Sequence, residues 1–167
     1  MSAIPFPYSN LKEFENRIIY YESSRGCPFS CSYCLSSIDK KLRYRDLELV
    51  KKELLFFLEN KVAQVKFIDR TFNCQKERCE NIWQFIKDND NGYTNFHFEI
   101  SADLITDKQI DILNSMRPGA VQLEIGVQTT NEDSIKAIRR KMDIDKLRDV
   151  VRRLRAPKNI HLHLDLI

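Results

Sequence analysis

The sequence has few or none of the features that mark linker-rich, repetitive, nucleic-acid-binding, membrane or secreted proteins. Only four of the 167 residues are glycine and five are proline, so there is little linker material, and no repeat or low-complexity stretch is present. The net charge of +3 is too small to indicate a nucleic-acid partner by itself. No apolar run approaches the roughly 18 residues that a membrane span requires. Residues 1–10 lack the basic and then apolar pattern of a signal peptide, so we expect a cytoplasmic protein with no membrane partner.

The residues that are present suit a single globular domain. Apolar residues make up 43% of the chain, enough for a substantial core, and charged residues make up 31%, enough for a solvated surface. The sequence also contains five cysteines, and in a reducing compartment these indicate metal or redox chemistry more than disulfides.

Segments with strand and helix patterns alternate along the chain. The predicted strands cover residues 17–23, 63–68, 95–101, 120–128 and 159–166. The predicted helices cover residues 46–59 and 75–88, a stretch from the Thr106–Gln109 capping box to Pro118–Gly119, and a stretch from Glu132 that breaks near Met142 and continues to Leu154. Alternation with short connections predicts a parallel sheet with right-handed crossovers.

The two ends of the chain differ in character. Residues 1–14 are predicted to form an extended lead-in to a core of residues 15–167. The last strand pattern stops at Ile167 without a turn or a cap. We therefore expect a core domain that is truncated at its C-terminus and belongs to a longer enzyme.

Polar side chains alternate with apolar ones along the last three predicted strands. Strands buried on both faces of a parallel sheet should be almost uniformly apolar. Because crossover helices need the apolar face, the polar face must look into something wet or occupied, such as the lumen of a partial (β/α) TIM-like barrel with about five parallel strands. An open sheet with one solvated face is the alternative. The polar face carries His97, Glu99, Gln122, Glu124, Gln128, His161, His163 and Asp165.

Three cysteines crowd onto one loop after the first predicted strand. Cys27, Cys31 and Cys34 have C-x3-C-x2-C spacing, which can hold zinc or an iron–sulfur cluster. Structural zinc takes four protein ligands, usually as two spaced pairs, and Cys74 and Cys79 do not supply a second such pair. Ordinary iron–sulfur clusters also take four cysteines. Three nearby thiolates therefore suggest a cluster with one iron left for an exogenous ligand.

The cysteine motif is similar to a known signature. With Tyr33 directly before Cys34, it resembles the motif of the radical S-adenosylmethionine (SAM) enzymes. The sequence ESSRGC at residues 22–27 resembles the branch that includes cobalamin-dependent members, the anaerobic magnesium-protoporphyrin IX monomethyl ester cyclases and the methylthiotransferases. The resemblance covers roughly residues 15–167.

The resemblance implies a [4Fe–4S] cluster on Cys27, Cys31 and Cys34, with SAM on the fourth iron. The reduced cluster would pass one electron to the sulfonium, leaving methionine and a 5′-deoxyadenosyl radical that activates a small-molecule substrate. A low-potential electron donor of the flavodoxin or ferredoxin type is implied, as is cobalamin on a domain outside this chain. The implied enzyme is an Fe–S oxidoreductase for tetrapyrrole cyclisation or cobalamin-dependent methylation.

SAM contacts are implied at the ends of the predicted strands. Tyr33 would pack near the adenine. Asp69 would meet the methionine ammonium, helped by Arg70 and Thr71, where the family often has Gly-Gly-Glu. Glu99 resembles a carboxylate that contacts SAM in the oxygen-independent coproporphyrinogen oxidases.

Four further SAM contacts are implied from the fourth strand onward. Gly126 would let a ligand approach the backbone closely, and Gln128 closes the same strand. Arg140 matches an arginine that pairs with the SAM carboxylate, and Asp165 matches a position near the ribose.

Other functions stay open from the sequence. One is an RNA methylthiotransferase-like enzyme, which would need an auxiliary cluster and an RNA-binding domain. Another is a non-catalytic metal-binding or RNA-binding module, although a solvated helix face explains the basic residues in 139–158. The three histidines could touch substrate or act as an acid or base, or they could be satisfied within the lumen.

Overall fold

The computed structural model describes residues 1–167, in which strands and helices alternate as the sequence patterns predict. The strands are β1 (Ile19–Tyr21), β2 (Ser24–Arg25), β3 (Arg43–Tyr44), β4 (Gln64–Phe67), β5 (Asn95–Ile100), β6 (Val121–Gln128) and β7 (His161–Leu166). The α-helices are α1 (Leu47–Glu59), α2 (Lys76–Asp88), α3 (Asp107–Asn114), α4 (Glu132–Ala137) and α5 (Ile144–Arg155).

Five of the strands form one parallel sheet in the order β1-β4-β5-β6-β7. Every neighbouring pair is parallel, so all five carboxyl ends lie at the same edge of the sheet. The edge strands β1 and β7 do not pair with each other, and the barrel is therefore open. The predicted five-stranded partial (β/α) TIM-like barrel is confirmed.

The core fills the space between the sheet and its helices, where aromatic rings are concentrated. Phe98 of β5 lies 4.5 Å from Phe67 of β4 and 4.4 Å from Phe72, measured between ring centroids. The ring of Trp83 on α2 packs 5.6 Å from Phe72. Phe67, Trp83 and Phe98 are fully buried. These contacts fix α2 against the apolar face and leave the opposite face of the sheet for polar side chains.

Side-chain caps start four of the helices. Asp46 accepts a hydrogen bond from the backbone nitrogen of Leu49 at the start of α1. Thr106 and Gln109 form the predicted capping box of α3. Asn131 and Asp143 cap α4 and α5, and the predicted break near Met142 is the segment between those two helices.

The C-terminal end of α3 differs from the prediction. The helix ends at Asn114 rather than at Pro118–Gly119. Ser115 ends it earlier because its hydroxyl donates to the carbonyl oxygen of Ile112 and competes with the helical hydrogen bonds.

Two further features were not predicted. The short strands β2 and β3 form an antiparallel hairpin beside the main sheet, and two residues per strand are too few to give a pattern. On β7, Leu164 and Leu166 are 40% and 68% exposed, although their alternation predicted a covered face. They are exposed because β7 is an edge strand with a neighbour on one side only.

Candidate functional site

The cysteine loop leaves the carboxyl end of β1 and is held at both of its ends. The β2–β3 hairpin brings the two ends together, and the backbone nitrogen of Cys27 donates to the carbonyl oxygen of Asp39 over 2.9 Å. Gly26 adopts a φ of +97°, and a Cβ at that position would collide with the carbonyl oxygen of Lys41. Only glycine therefore suits the turn that presents the first cysteine.

All five cysteines are free thiols. Cys27 and Cys31 are buried, whereas Cys34 is partly exposed. The backbone nitrogen of Cys34 donates to the carbonyl oxygen of Cys31, and a single-turn 3₁₀ helix, Leu35–Ile38, begins directly after Cys34. The loop therefore carries its three thiols on a compact stretch above the carboxyl end of the sheet.

A cavity of about 240 Å³ opens between the cysteine loop and the carboxyl ends of β5, β6 and β7. It brings together Cys31 and Cys34 with seven of the eight predicted SAM-contact residues. Those seven are Tyr33, Thr71, Glu99, Gly126, Gln128, Arg140 and Asp165. Cys27 lies beside this group, with its Sγ 3.9 Å from Thr71 Oγ1.

Arg140 joins the cysteine loop to the end of β6. Its Nη1 donates to Tyr33 Oη over 3.1 Å and lies 3.9 Å from Cys31 Sγ. Its Nη2 donates to the carbonyl oxygen of Gly126. Its Nε is buried and has no hydrogen-bond partner. The guanidinium therefore brings a positive charge to the cavity, and its Nε remains a buried donor without an acceptor.

The last residues of β6 leave the regular strand geometry. The pairing with β7 shifts register between Gly126 and Gln128, and Gln128 has a φ of +67°. A Cβ on residue 126 would lie 2.7 Å from Gln128 Nε2, so glycine makes room for that side chain. Gln128 Oε1 is buried without a hydrogen-bond donor. The end of β6 thus carries a buried acceptor without a donor, on a residue that lines the same cavity as Arg140.

Two carboxylates face each other across the floor of the cavity. Glu99 and Glu124 are in register on β5 and β6. Lys66 Nζ lies 3.0 Å from Glu124 Oε2 and 3.9 Å from Glu99 Oε1. Burial, with a contribution from the Glu124 charge, raises the pKa of Glu99. Burial opposes ionisation of Glu124 as well, but the hydrogen bond and charge of Lys66 outweigh it and lower the pKa of Glu124. Lys66 therefore stabilises the negative charge of Glu99 less than that of Glu124.

The three histidines lie on strands of the sheet but differ in exposure to solvent. His97 is buried, with its Nε2 3.0 Å from Glu124 Oε2 but without hydrogen-bond geometry. Burial and the Lys66 charge lower the pKa of His97. His163 Nε2 lies 3.2 Å from Asp165 Oδ1, and both His161 and His163 are exposed. None of the three lines the cavity.

Asp69 is the one predicted SAM contact that the structure does not bring to the cavity. It is 1% exposed, and both of its carboxylate oxygens accept hydrogen bonds from protein groups. Oδ1 accepts from the backbone nitrogen of Ser23 over 2.8 Å. Oδ2 accepts from the hydroxyls of Ser23 and Ser24 over 2.7 and 2.6 Å. A carboxylate that is occupied in this way is not free to meet a ligand ammonium.

The titration of Asp69 should appear in the stability of the fold. Burial raises its pKa to about 6 against the opposing serine donors, and the charge of Glu22 adds to the shift while Arg78 faces it from α2. An acid whose pKa is higher in the folded state than in the unfolded chain stabilises the fold more as the pH falls.

We expect the free energy of unfolding of the wild type, relative to Asp69→Asn, to increase by roughly 1.4 kcal/mol from pH 7.5 to pH 5. Urea unfolding of both proteins at the two pH values measures this difference. A difference that stays constant, or that shrinks on acidification, would contradict the assignment.

Several cavity residues were not predicted as ligand contacts. Glu124 and Lys141 line the cavity together with Phe29 and Ser101. Glu124 could have been predicted as a cavity residue, because the alternation of its strand places it on the polar face with Gly126 and Gln128. Lys141 could not, because it stands on a connection whose path only the fold determines.

None of the helices combines the length and the apolar character that crossing a membrane would demand.

Comparisons with known proteins give one family and a consistent fold. A family model described as the Radical SAM superfamily matches residues 21–161. An uncharacterized methyltransferase of Pyrococcus horikoshii is 38% identical over 68 residues, which are 39% of this chain and 15% of that protein.

Two solved structures superpose on most of the chain. The radical S-adenosylmethionine methyltransferase TsrM from Kitasatospora setae, with cobalamin and a [4Fe–4S] cluster bound, gives a TM-score of 0.78 over 99% of this chain and 34% of that one, at 15% identity. Streptococcus suis SuiB gives a TM-score of 0.64 over 87% of this chain and 31% of that one, at 13% identity. The chain therefore spans about a third of the length of these two proteins, and at this identity the likeness is one of fold.

Proposed function

The chain belongs to the radical SAM superfamily, and on that premise we propose that its cysteine loop holds a [4Fe–4S] cluster and that the adjoining cavity binds SAM. The observation that carries the proposal is the convergence of Cys31 and Cys34 on one cavity with seven of the eight positions that the family resemblance implies. These positions come from the loop and from three different strands and their connections, so local sequence does not force them together.

The side chains fit both groups. No set of three His, Cys, Asp or Glu side chains surrounds one point closely enough to hold a single metal ion. A [4Fe–4S] cluster makes a different demand, because each thiolate binds a different iron. The unused donor on Arg140 and the unused acceptor on Gln128 are buried polar atoms that a zwitterionic ligand would satisfy.

Each group that the chain provides has a role toward these cofactors. Cys27, Cys31 and Cys34 would ligate the cluster. When bound, the cluster and SAM supply one-electron cleavage of the sulfonium to methionine and a 5′-deoxyadenosyl radical. Arg140 would hold the SAM carboxylate by charge-assisted hydrogen bonds, and Glu99 would hold the ammonium.

The remaining cavity residues would orient the nucleoside end of SAM. Tyr33 would pack beside the adenine, and Asp165 would accept from the ribose hydroxyls. Gly126 leaves room for the Gln128 side chain against the strand, and Gln128 would donate to or accept from the ligand at the rim of the cavity. Thr71 lies next to Cys27 and would flank the cluster.

For the whole protein, we infer an enzyme with a small-molecule substrate, a low-potential electron donor and no nucleic-acid partner, of which residues 15–167 form the core domain. Methyl transfer with cobalamin is the class that the names of two relatives favour, since both TsrM and the Pyrococcus horikoshii protein are described as methyltransferases. Tetrapyrrole cyclisation and RNA methylthiolation are the other outcomes that product analysis would reveal.

The test is anaerobic reconstitution with iron and sulfide, followed by dithionite and SAM. We expect 5′-deoxyadenosine if the sulfonium is reductively cleaved, and S-adenosylhomocysteine on addition of cobalamin if methyl transfer occurs. Both are measured by liquid chromatography and mass spectrometry.

Arg140→Ala should weaken SAM binding at least about tenfold because it removes a charge-assisted contact. Arg148→Ala, on the exposed face of α5, is the matched control. A zinc-loaded, colourless protein that retains tRNA at moderate salt and leaves SAM intact would contradict the proposal.

A further inference from the structure

A group of buried hydrogen bonds lies at the base of the cysteine loop, outside the cavity. We propose that Asp69 is a positioning residue that fixes the start of this loop, and through it Cys27, before any cluster is present. The proposal rests on the proposed function only in taking Cys27 as a cluster ligand.

The sheet places the two partners of this group side by side. Tyr21 at the end of β1 is in register with Phe67 at the end of β4, so the residues that follow each strand meet at the same edge. The backbone nitrogen of Ile68 continues the pairing by donating to the carbonyl oxygen of Tyr21 over 2.9 Å. One residue later, Asp69 receives the three hydrogen bonds from Ser23 and Ser24. The carboxylate therefore joins the connection after β4 to the connection after β1. Ser24 and Ser23 lie 45 and 46 residues before Asp69 in the chain.

The serines are also held from the other side. The carbonyl oxygen of Ser23 accepts from the backbone nitrogen of Arg45 over 2.9 Å and from Arg78 Nη2 over 3.4 Å. Ser24 pairs with Tyr44 in the β2–β3 hairpin. Ser23 and Ser24 are therefore held from both sides shortly before the chain reaches Gly26 and Cys27.

Asp69 has no local task that would explain its burial. It follows a strand and precedes a 3₁₀ turn, Phe72–Cys74, but the N-cap of that turn is Thr71. All of its hydrogen bonds go to Ser23 and Ser24. Loss of the carboxylate would leave the Ser23 N–H group buried without an acceptor. An asparagine would keep an acceptor for that N–H group and could donate to the serine oxygens.

The experiment compares cysteine reactivity in the metal-free 167-residue protein. The wild type, Asp69→Ala and Asp69→Asn are treated with iodoacetamide, and modification of Cys27 and Cys79 is followed by peptide mass spectrometry. Cys79 lies in the core and reports global opening. We expect the ratio of the Cys27 rate to the Cys79 rate to rise about tenfold in Asp69→Ala and to stay near the wild-type value in Asp69→Asn.

Asn159→Ala provides the matched control. Asn159 is also buried, and its Nδ2 donates to the carbonyl oxygens of Leu113 and Met116, but it precedes β7 at the opposite edge of the sheet. Its loss should raise both rates together and leave their ratio unchanged. An unchanged ratio in Asp69→Ala, or an equal rise in Asn159→Ala, would overturn the inference.

Iron uptake separates this inference from the proposed function. If the wild type takes up no cluster, the proposed function fails, while the reactivity ratio still decides the role of Asp69. If the wild type and Asp69→Ala take up equal iron with the same absorption spectrum, the positioning role fails and the proposed function stands. Reduced uptake in Asp69→Ala with recovery in Asp69→Asn supports both.

Discussion

Replacing any one of Cys27, Cys31 and Cys34 by alanine should abolish the broad absorption near ~400 nm that iron–sulfur clusters give after anaerobic reconstitution. With three thiolates the cluster already depends on an outside ligand for its fourth iron, so two thiolates leave half of the irons without a protein ligand. We expect iron and acid-labile sulfide contents to fall to the background of an unreconstituted sample. The loss should be the same for all three positions, because each would bind a different iron.

The same chain contains the controls. Cys74 and Cys79 are also free thiols, but Cys74 lies on the connection after β4 and Cys79 lies on the buried face of α2. Cys74→Ala and Cys79→Ala should keep the absorption and the iron content. If either removed the signal, or if one loop variant kept a wild-type spectrum, the assignment of the three ligands would be incorrect.

Removing one partner of the buried Arg45–Glu53 ion pair should cause the largest loss of stability in the fold. The side chains are only 7% and 5% exposed, and the guanidinium contacts the carboxylate through Nε over 2.8 Å and Nη2 over 2.5 Å. Tyr21 Oη donates to the same carboxylate over 2.6 Å, and burial raises the pKa of Tyr21. Glu53→Ala would leave a buried cation without its counter-charge, at a cost of about 3–5 kcal/mol in the free energy of unfolding.

Urea unfolding measures this loss, and two further variants test its cause. The exposed pair of Asp145 and Arg148 on α5 is the control, and Asp145→Ala should change stability by less than about 0.5 kcal/mol. The triple variant Tyr21→Phe, Arg45→Met, Glu53→Leu removes all three polar partners together and should recover most of the lost stability. A triple variant as unstable as Glu53→Ala would mean that packing, rather than an unpaired charge, sets the cost.

The parts of the fold that sequence could predict are those that local chemistry determines. Asp46 and the Thr106–Gln109 pair cap helices through groups three residues away, so their helix starts were readable. The last three strands of the sheet could be located because their side chains alternate, and the first because it is rich in β-branched and aromatic residues. The parallel pairing of the sheet followed because strand–helix alternation with short connections leaves few topologies.

The parts that could not be predicted depend on distant partners. The role of Asp69 is set by two serines that follow a different strand, and a carboxylate after a strand looks the same whether it faces a ligand or a neighbouring loop. The balance between Glu99 and Glu124 depends on Lys66, which lies on a third strand. For the site itself, spacing and resemblance selected the positions, but only the folded sheet shows which of them meet.

The strands lie across the sheet in the order in which they occur in the chain. During synthesis, each strand from β5 onward can therefore add to an edge that its predecessor has already formed. The first pairing, between β1 and β4, has no such template and must bring together the two ends of the longest connection between neighbouring strands. That connection carries the three thiols, so the pairing with the greatest loss of chain entropy is also the one that shapes the cysteine loop.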